Sequence, residues 1–293
     1  VHVTSSGSTT TKTTTAPHNP PTMNALRLLA LICLFVALPL LILLVVRGPV
    51  DDYTPTTGHW PLTANTDWCE PNYQVSPYVA EFGNTLSSII IIFNGLYGMY
   101  QHYNQVEIQY IYAYACFLVV GIGSCLFHGT LMREFQLADE LPMLWSNGVF
   151  IFCILTTKDT VQEAARRFEY MWSIGGVTLI MTLLVVFFDQ EDQTIFLVSY
   201  SSGVYYIMYS SYYLDCTYNS TGEVMMLETS LCFYVGGFVL WLVDRLYCNG
   251  TVPVVGMQVR SMYLHSFWHV GAGLGTFTSV LFFIWTRGKH LKR

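Results

Sequence analysis

YLHSFWHVGAGLGTFTSVLFFIW, residues 263–285, is an almost unbroken apolar run that carries two histidines, His265 and His269. As a helix, a run of this length reaches about 35 Å, enough to cross the ~30 Å hydrocarbon core of a bilayer. Backbone groups in lipid must find partners inside the chain, so a run too long for a barrel strand is read as helix. The two imidazoles are then the anomaly. Ionisable side chains inside a span are costly and are functional candidates by default. A four-residue step moves about 6 Å along the axis and ~40° around it, so both rings can face one partner.

The rest of the chain has the same character. It is 53% hydrophobic and 11% charged, against roughly 25% charged in soluble domains. Eight apolar runs stand out, at residues 26–46, 78–100, 108–128, 137–156, 169–188, 194–213, 227–247 and 262–286. The last seven follow one another through short polar loops; the first stands apart. The expected fold is all-α, a polytopic membrane helix bundle with a seven-transmembrane core over 78–286 and one extra N-terminal hydrophobic segment.

Residues 1–25 form a Ser/Thr-rich leader without periodicity, expected to be disordered. Residues 26–47 read as a signal anchor or extra span, because the apolar run exceeds a usual signal h-region and no A-x-A site follows. Lys158, Arg166 and Arg167 follow the third core span, and Arg287, Lys289, Lys292 and Arg293 make a basic tail, 287–293. By the positive-inside rule these face the cytosol, which makes 48–77 a luminal or extracellular segment. Cys69 and Cys248 then face an oxidising compartment, where a disulfide is allowed. The sequon at Asn249 is a possible N-glycosylation site on that side.

Topology brings a third histidine to the pair. His128 ends the second core span, which runs toward the luminal side, and the seventh span starts there. Three imidazoles at one depth can grip zinc and leave a fourth position open, the mark of a catalytic site. Other uses are interhelical hydrogen bonds, a headgroup-level position, or haem, although haem usually draws its two axial ligands from opposing helices. Ser124 lies one turn before His128. Asp139, beside Glu140, opens the third span at the same depth, where a carboxylate can orient a ligand, move a proton or cap a helix. Before the first core span, Asp67, Glu70, Asn72 and Glu81 supply hard oxygen donors around Pro71. That set suits a calcium loop, although it is not an EF-hand; a solvated acidic loop is the other reading.

DWCEPNY with YVAEFGNTLS, VGIGSCLFHGTL with QLADELPM, LWLVDRLYC and LHSFWHVGAGLG occur in that order over residues ~58–286. Together they resemble the alkaline ceramidase family, within the seven-span intramembrane hydrolases that also include the adiponectin-receptor-like proteins. The resemblance implies zinc ligands at His128, His265 and His269, and a catalytic serine and aspartate at Ser124 and Asp139. It also implies a calcium loop of Asp67, Trp68 (through its carbonyl), Glu70, Asn72 and Glu81, and a luminal disulfide between Cys69 and Cys248. The family splits ceramide into a sphingoid base and a fatty acid in endoplasmic reticulum, Golgi or plasma membranes.

The expectation is a zinc-dependent amidohydrolase of the endoplasmic reticulum or Golgi membrane, monomeric, with a cytosolic C-terminus, ceramide and membrane lipids as partners and no nucleic acid. The alternative is a zinc-containing lipid-sensing receptor of the adiponectin/progestin type. A transporter would call for internal repeats or broken helices in symmetric positions, and the sequence has no internal repeat.

Overall fold

A computed structural model describes residues 58–159, 163–189, 193–218, 221–248, 251–252, 257–259 and 262–291. Chain contacts separate residues 1–48 from residues 49–293, and the architecture below belongs to the second unit. The leader 1–25, the segment 26–47, the start of the 48–77 segment, Asn249 and the last two tail residues lie outside the described residues.

Seven helices follow one another: α1 Phe82–His102, α2 Ile108–Thr130, α3 Arg133–Leu155, α4 Ala164–Phe188, α5 Thr194–Tyr218, α6 Thr221–Tyr247 and α7 Leu264–Leu291. A two-residue antiparallel pair, β1 Thr251–Val252 with β2 Met257–Gln258, lies between α6 and α7. Five of the helices, α2, α3, α4, α6 and α7, are long and apolar enough to cross a membrane. The 21-residue α1 and the 25-residue α5 are not among them. Asn84, Ser87, Ser88 and Asn94 dilute α1, and serines and tyrosines dilute α5. Large apolar side chains such as Phe168, Trp172, Leu179, Phe187 and Leu246 are exposed on the outside, as expected of an integral membrane bundle whose outer surface meets lipid.

The helix ends that form the site are fixed by backbone chemistry. The N–H groups of Ala80 and Glu81 donate to the carbonyls of Gly129 and His128, both at 2.9 Å, which seats the start of α1 against the end of α2. The Glu70 carboxylate accepts the free N–H groups of Gly83 (2.7 Å) and Asn84 (2.9 Å). An anion at a helix N-terminus satisfies orphan donors and the macrodipole together. At the end of α2, Leu131 takes a left-handed conformation (φ 52°). Its N–H donates to Phe127 O at 2.6 Å, and its carbonyl accepts from Thr63 and Ala64.

Two close approaches place the site. Pro142 lies inside α3 and cannot donate to the carbonyl of Ala138, one turn earlier. A Cβ on Gly123 of α2 would come within 2.1 Å of that same carbonyl oxygen, so only glycine lets α3 draw in with Asp139 on it. On α7, a Cβ at Gly271 would lie 2.6 Å from Phe233 O, and one at Gly275 2.9 Å from Ser230 O. This four-residue pair therefore beds α7 on α6, and α7 also packs on α1 and α2.

Away from the histidines, Tyr110, Tyr114, Phe117, Phe150, Phe277 and Phe283 fill the core. At that end Arg287 is buried. It reaches both Glu107 oxygens at 2.9 Å, Thr157 O at 3.0 Å and Asp159 O at 2.5 Å.

Candidate metal centre and active site

His128 comes from the end of α2, and His265 and His269 from the first turns of α7. All three are buried, and one nitrogen from each lies within 4.8 Å of the others. It is the only such group of three or more metal-ligating side chains among the described residues.

Two of the histidines are oriented through their Nδ1 atoms. His128 Nδ1 donates to Glu81 Oε2 at 2.5 Å, with both side chains wholly buried. That leaves Nε2 with its lone pair, and no hydrogen-bond partner reaches it. His269 Nδ1 donates to the Asn84 carbonyl at 3.1 Å and lies 2.8 Å from Ser87 Oγ. His265 Nδ1 is likewise buried without a partner, and its ring stacks on Trp68 at 3.8 Å between centroids. Buried polar atoms without partners are rare because each forfeits its hydration. Three buried imidazoles with ligand atoms within 4.8 Å of one another, two of the rings carrying an unpartnered nitrogen and one backed by a carboxylate, fit a metal ion.

Ser124 Oγ lies 2.9 Å from Ser88 Oγ, which donates to Asn84 O at 2.8 Å. Asp139 makes no hydrogen bond to a described residue, and its carboxylate lines the same cavity as Ser124, His265 and His269. This cavity of about 380 Å³ is lined from every helix except α4 and is mainly apolar. Among its lining residues, Tyr205 of α5 is 73% exposed and Phe238 of α6 42%, so it reaches the outer surface between helices that touch only slightly.

The acidic segment is arranged differently from the histidines. Cys69 and Cys248 form a disulfide, with Cα atoms 5.3 Å apart. Asn72 Nδ2 donates to both Asp67 oxygens at 3.0 Å. Glu70 caps α1. Glu81 accepts from Trp68 N (2.9 Å) and Asn84 Nδ2 (3.0 Å) in addition to His128. Residues 67–72 thus ride on the start of α1 and carry Trp68 onto His265.

Sequence reasoning passed over Asn84, Ser87, Ser88 and Asp244. The first three follow Glu81 at helical spacing and share its inward face, a signal present in EFGNTLSS. Asp244 accepts the backbone N–H of Cys69 at 3.3 Å and that of His265. It joins the disulfide loop to the start of α7, and nothing in its spacing could have revealed that.

A family model described as Ceramidase matches residues 60–293. Alkaline ceramidase 3 of Mus musculus is 33% identical over 247 residues, covering 80% of this chain and 88% of the mouse protein. A putative alkaline ceramidase of Dictyostelium discoideum is 31% identical over 271 residues, covering 80% and 90%. Alkaline ceramidase 1 of Homo sapiens is 31% identical over 217 residues, covering 71% and 77%. The match takes in all seven helices and all three imidazoles, and the chain belongs to the ceramidase family of membrane hydrolases.

Proposed function

We propose that the chain hydrolyses the amide bond of ceramide, giving a sphingoid base and a free fatty acid, with zinc held by His128, His265 and His269. The carrying observation is the buried histidine group, with two of its ring nitrogens unpartnered at the wall of an apolar cavity. When bound, zinc on three neutral imidazoles supplies Lewis acidity and lowers the pKa of a water molecule to about 7.

The chain's own residues account for the remaining work. Glu81 fixes His128, and Asn84 with Ser87 fixes His269, in the tautomer that offers Nε2. Asp139 takes a proton from water and passes it to the departing amine nitrogen. Ser124 O–H donates to the carbonyl oxygen as the carbon becomes tetrahedral. Water adds across the C–N bond: oxygen goes to the acyl carbon, a proton goes to nitrogen, and the acid's remaining proton is lost to give a carboxylate. The apolar cavity takes the alkyl chains.

Calcium in the loop of Asp67, Trp68, Glu70, Asn72 and Glu81 forms part of the same reading. The Oδ1 atom of Asn72 is buried without a partner, and the neighbouring donors are hard oxygens. The proposed topology is seven spans with 48–77 luminal, 287–293 cytosolic and 26–47 an anchor or extra span, in the endoplasmic reticulum or Golgi membrane. The deciding experiment measures fatty-acid release from defined ceramides by purified protein, with elemental analysis of the same sample. Turnover equal to wild type in His265→Ala, or full activity without a transition metal, overturns the assignment. A chelator that spares zinc yet leaves activity and melting temperature unchanged removes calcium.

A further inference from the structure

The cavity mouth carries a cation that the hydrolysis above does not use. Arg245, near the end of α6, lines the cavity with His265 and His269. Its guanidinium lies 5.8 Å from the Trp68 ring centroid and 5.5 Å from that of Trp241. Its one hydrogen bond among the described residues is neutral, from NH1 to Gln193 Oε1 at 3.2 Å. No described carboxylate pairs with it, whereas Arg133, Arg166, Arg167 and Arg287 each have one. Beside it, the indole Nε1–H of Trp68 is buried with no acceptor.

We propose that Arg245 and Trp68 Nε1–H form the binding site for the carboxylate of a long-chain fatty acid, the acidic product of the reaction proposed above. The inference rests on that reading for the origin of the acid, but its chemistry is independent of turnover. The two indoles pack on each other with centroids 5.7 Å apart, and a guanidinium lying over both rings on one side of the pair has its fork oriented by them. An arginine and a neighbouring unpartnered N–H donor, both lining one apolar cavity, suit a carboxylate whose tail lies in that cavity. Glu140, which also lines the cavity, is already engaged by the amides of Gln136 and Gln193 and faces Arg133, so among the described residues it does not pair with Arg245. The uncleaved amide is neutral and gains little from this cation, so the site discriminates product from substrate.

The test is equilibrium binding of radiolabelled palmitate and hexadecanol to purified, zinc-loaded full-length protein in detergent. Chain length is shared and only the headgroup differs. Wild type is expected to bind the acid about ten-fold more tightly than the alcohol. Arg245→Gln should abolish that preference, Arg245→Lys should retain part of it, and Trp68→Phe, which keeps the ring and removes the N–H, should weaken it severalfold. Equal affinities in wild type overturn the proposal. So does a preference that survives in metal-loaded Arg245→Gln, because the metal would then hold the acid. If Arg245→Gln does not fold, the lysine and phenylalanine variants decide, and wild-type preference in both overturns the site. Absence of ceramide turnover with this binding pattern intact would sink the proposed function and leave the acid site standing.

Discussion

Glu81 Oε2 and His128 Nδ1 meet at 2.5 Å in an interior where neither side chain touches solvent. The same carboxylate accepts the Trp68 N–H and the Asn84 amide. One acid therefore sets the ring of a candidate ligand, the loop above it and the first turn of α1. Replacing it with glutamine preserves shape and removes charge. Glu81→Gln is expected to lower metal affinity and activity by about 10–100-fold, with the backbone fold retained. Zinc titration and circular dichroism of one preparation check this; unchanged affinity would detach Glu81 from the metal site.

His265→Ala removes one of three converging nitrogens. Bound zinc per chain should fall well below one, and amide hydrolysis should drop by about 10²–10³-fold, the scale of losing a principal electrostatic contributor. Metal stoichiometry and initial rates are read together. A variant that keeps its zinc but not its activity would assign the ring to substrate contact instead.

Gly123→Ala adds one methyl group where a Cβ meets Ala138 O at 2.1 Å and Asp139 N at 2.8 Å. Backbone cannot step aside as a side chain can, so α3 must move and carry Asp139 with it. Overpacking of this kind costs about 1–3 kcal/mol. Activity should fall more steeply than zinc content, because the histidines lie on α2 and α7. A variant with full activity would show that the α2–α3 approach has slack.

The Cys69–Cys248 bond closes a long loop, with a sequence separation of 179. Replacing both cysteines by serine is expected to cost about 2–5 kcal/mol and to lower activity, since Trp68 rides on the tethered segment. Thermal midpoints of the oxidised wild type and the double variant check this. Equal midpoints would make the bond dispensable for stability.

At the other end, burial alone would raise the Glu107 carboxyl, but the hydrogen bonds and charge of Arg287, with Arg167 and Gln109, outweigh it and hold it below its ordinary value. A carboxylate with a depressed native value stabilises the fold above the unfolded value, and that contribution is lost as pH falls through the native one. Glu107→Gln should therefore melt below wild type at neutral pH, with the gap closing in acid. Glu107 is about one-third exposed (34%), which keeps the neutral-pH difference near ~1 kcal/mol. A gap independent of pH would remove the ionic explanation.

The histidine geometry was legible because it needs only span counting and a four-residue period: His128 ends one helix and His265 starts another at the same level. Seven helices were legible for the same reason. The apolarity of α1 and α5 was overestimated. Runs judged by their Ile, Phe and Tyr content hide the Asn and Ser that face inward, and such residues lower a helix's hydropathy below what crossing a bilayer by composition requires. The roles of Glu81 and Glu70 could not be read, because an acid near a helix start looks alike whether it meets a cation, backbone N–H groups or an imidazole. Asp244 and Arg245 are neighbours in LWLVDRLYC, yet one ties down backbone and the other lines the cavity; only side-chain direction separates them.

α7 bears His265 and His269 near one extremity and Arg287 near the other. A helix is stiff along its axis, so the bed of Gly271 and Gly275 on α6 and the arginine anchor together hold the imidazoles against a slip. Sliding by one residue's rise, about 1.5 Å, exceeds several-fold the ~0.2 Å latitude of a metal–ligand bond. The rod is thus pinned at both ends, like a plumb line, with Arg287 on Glu107 at one end and the reactive centre at the other.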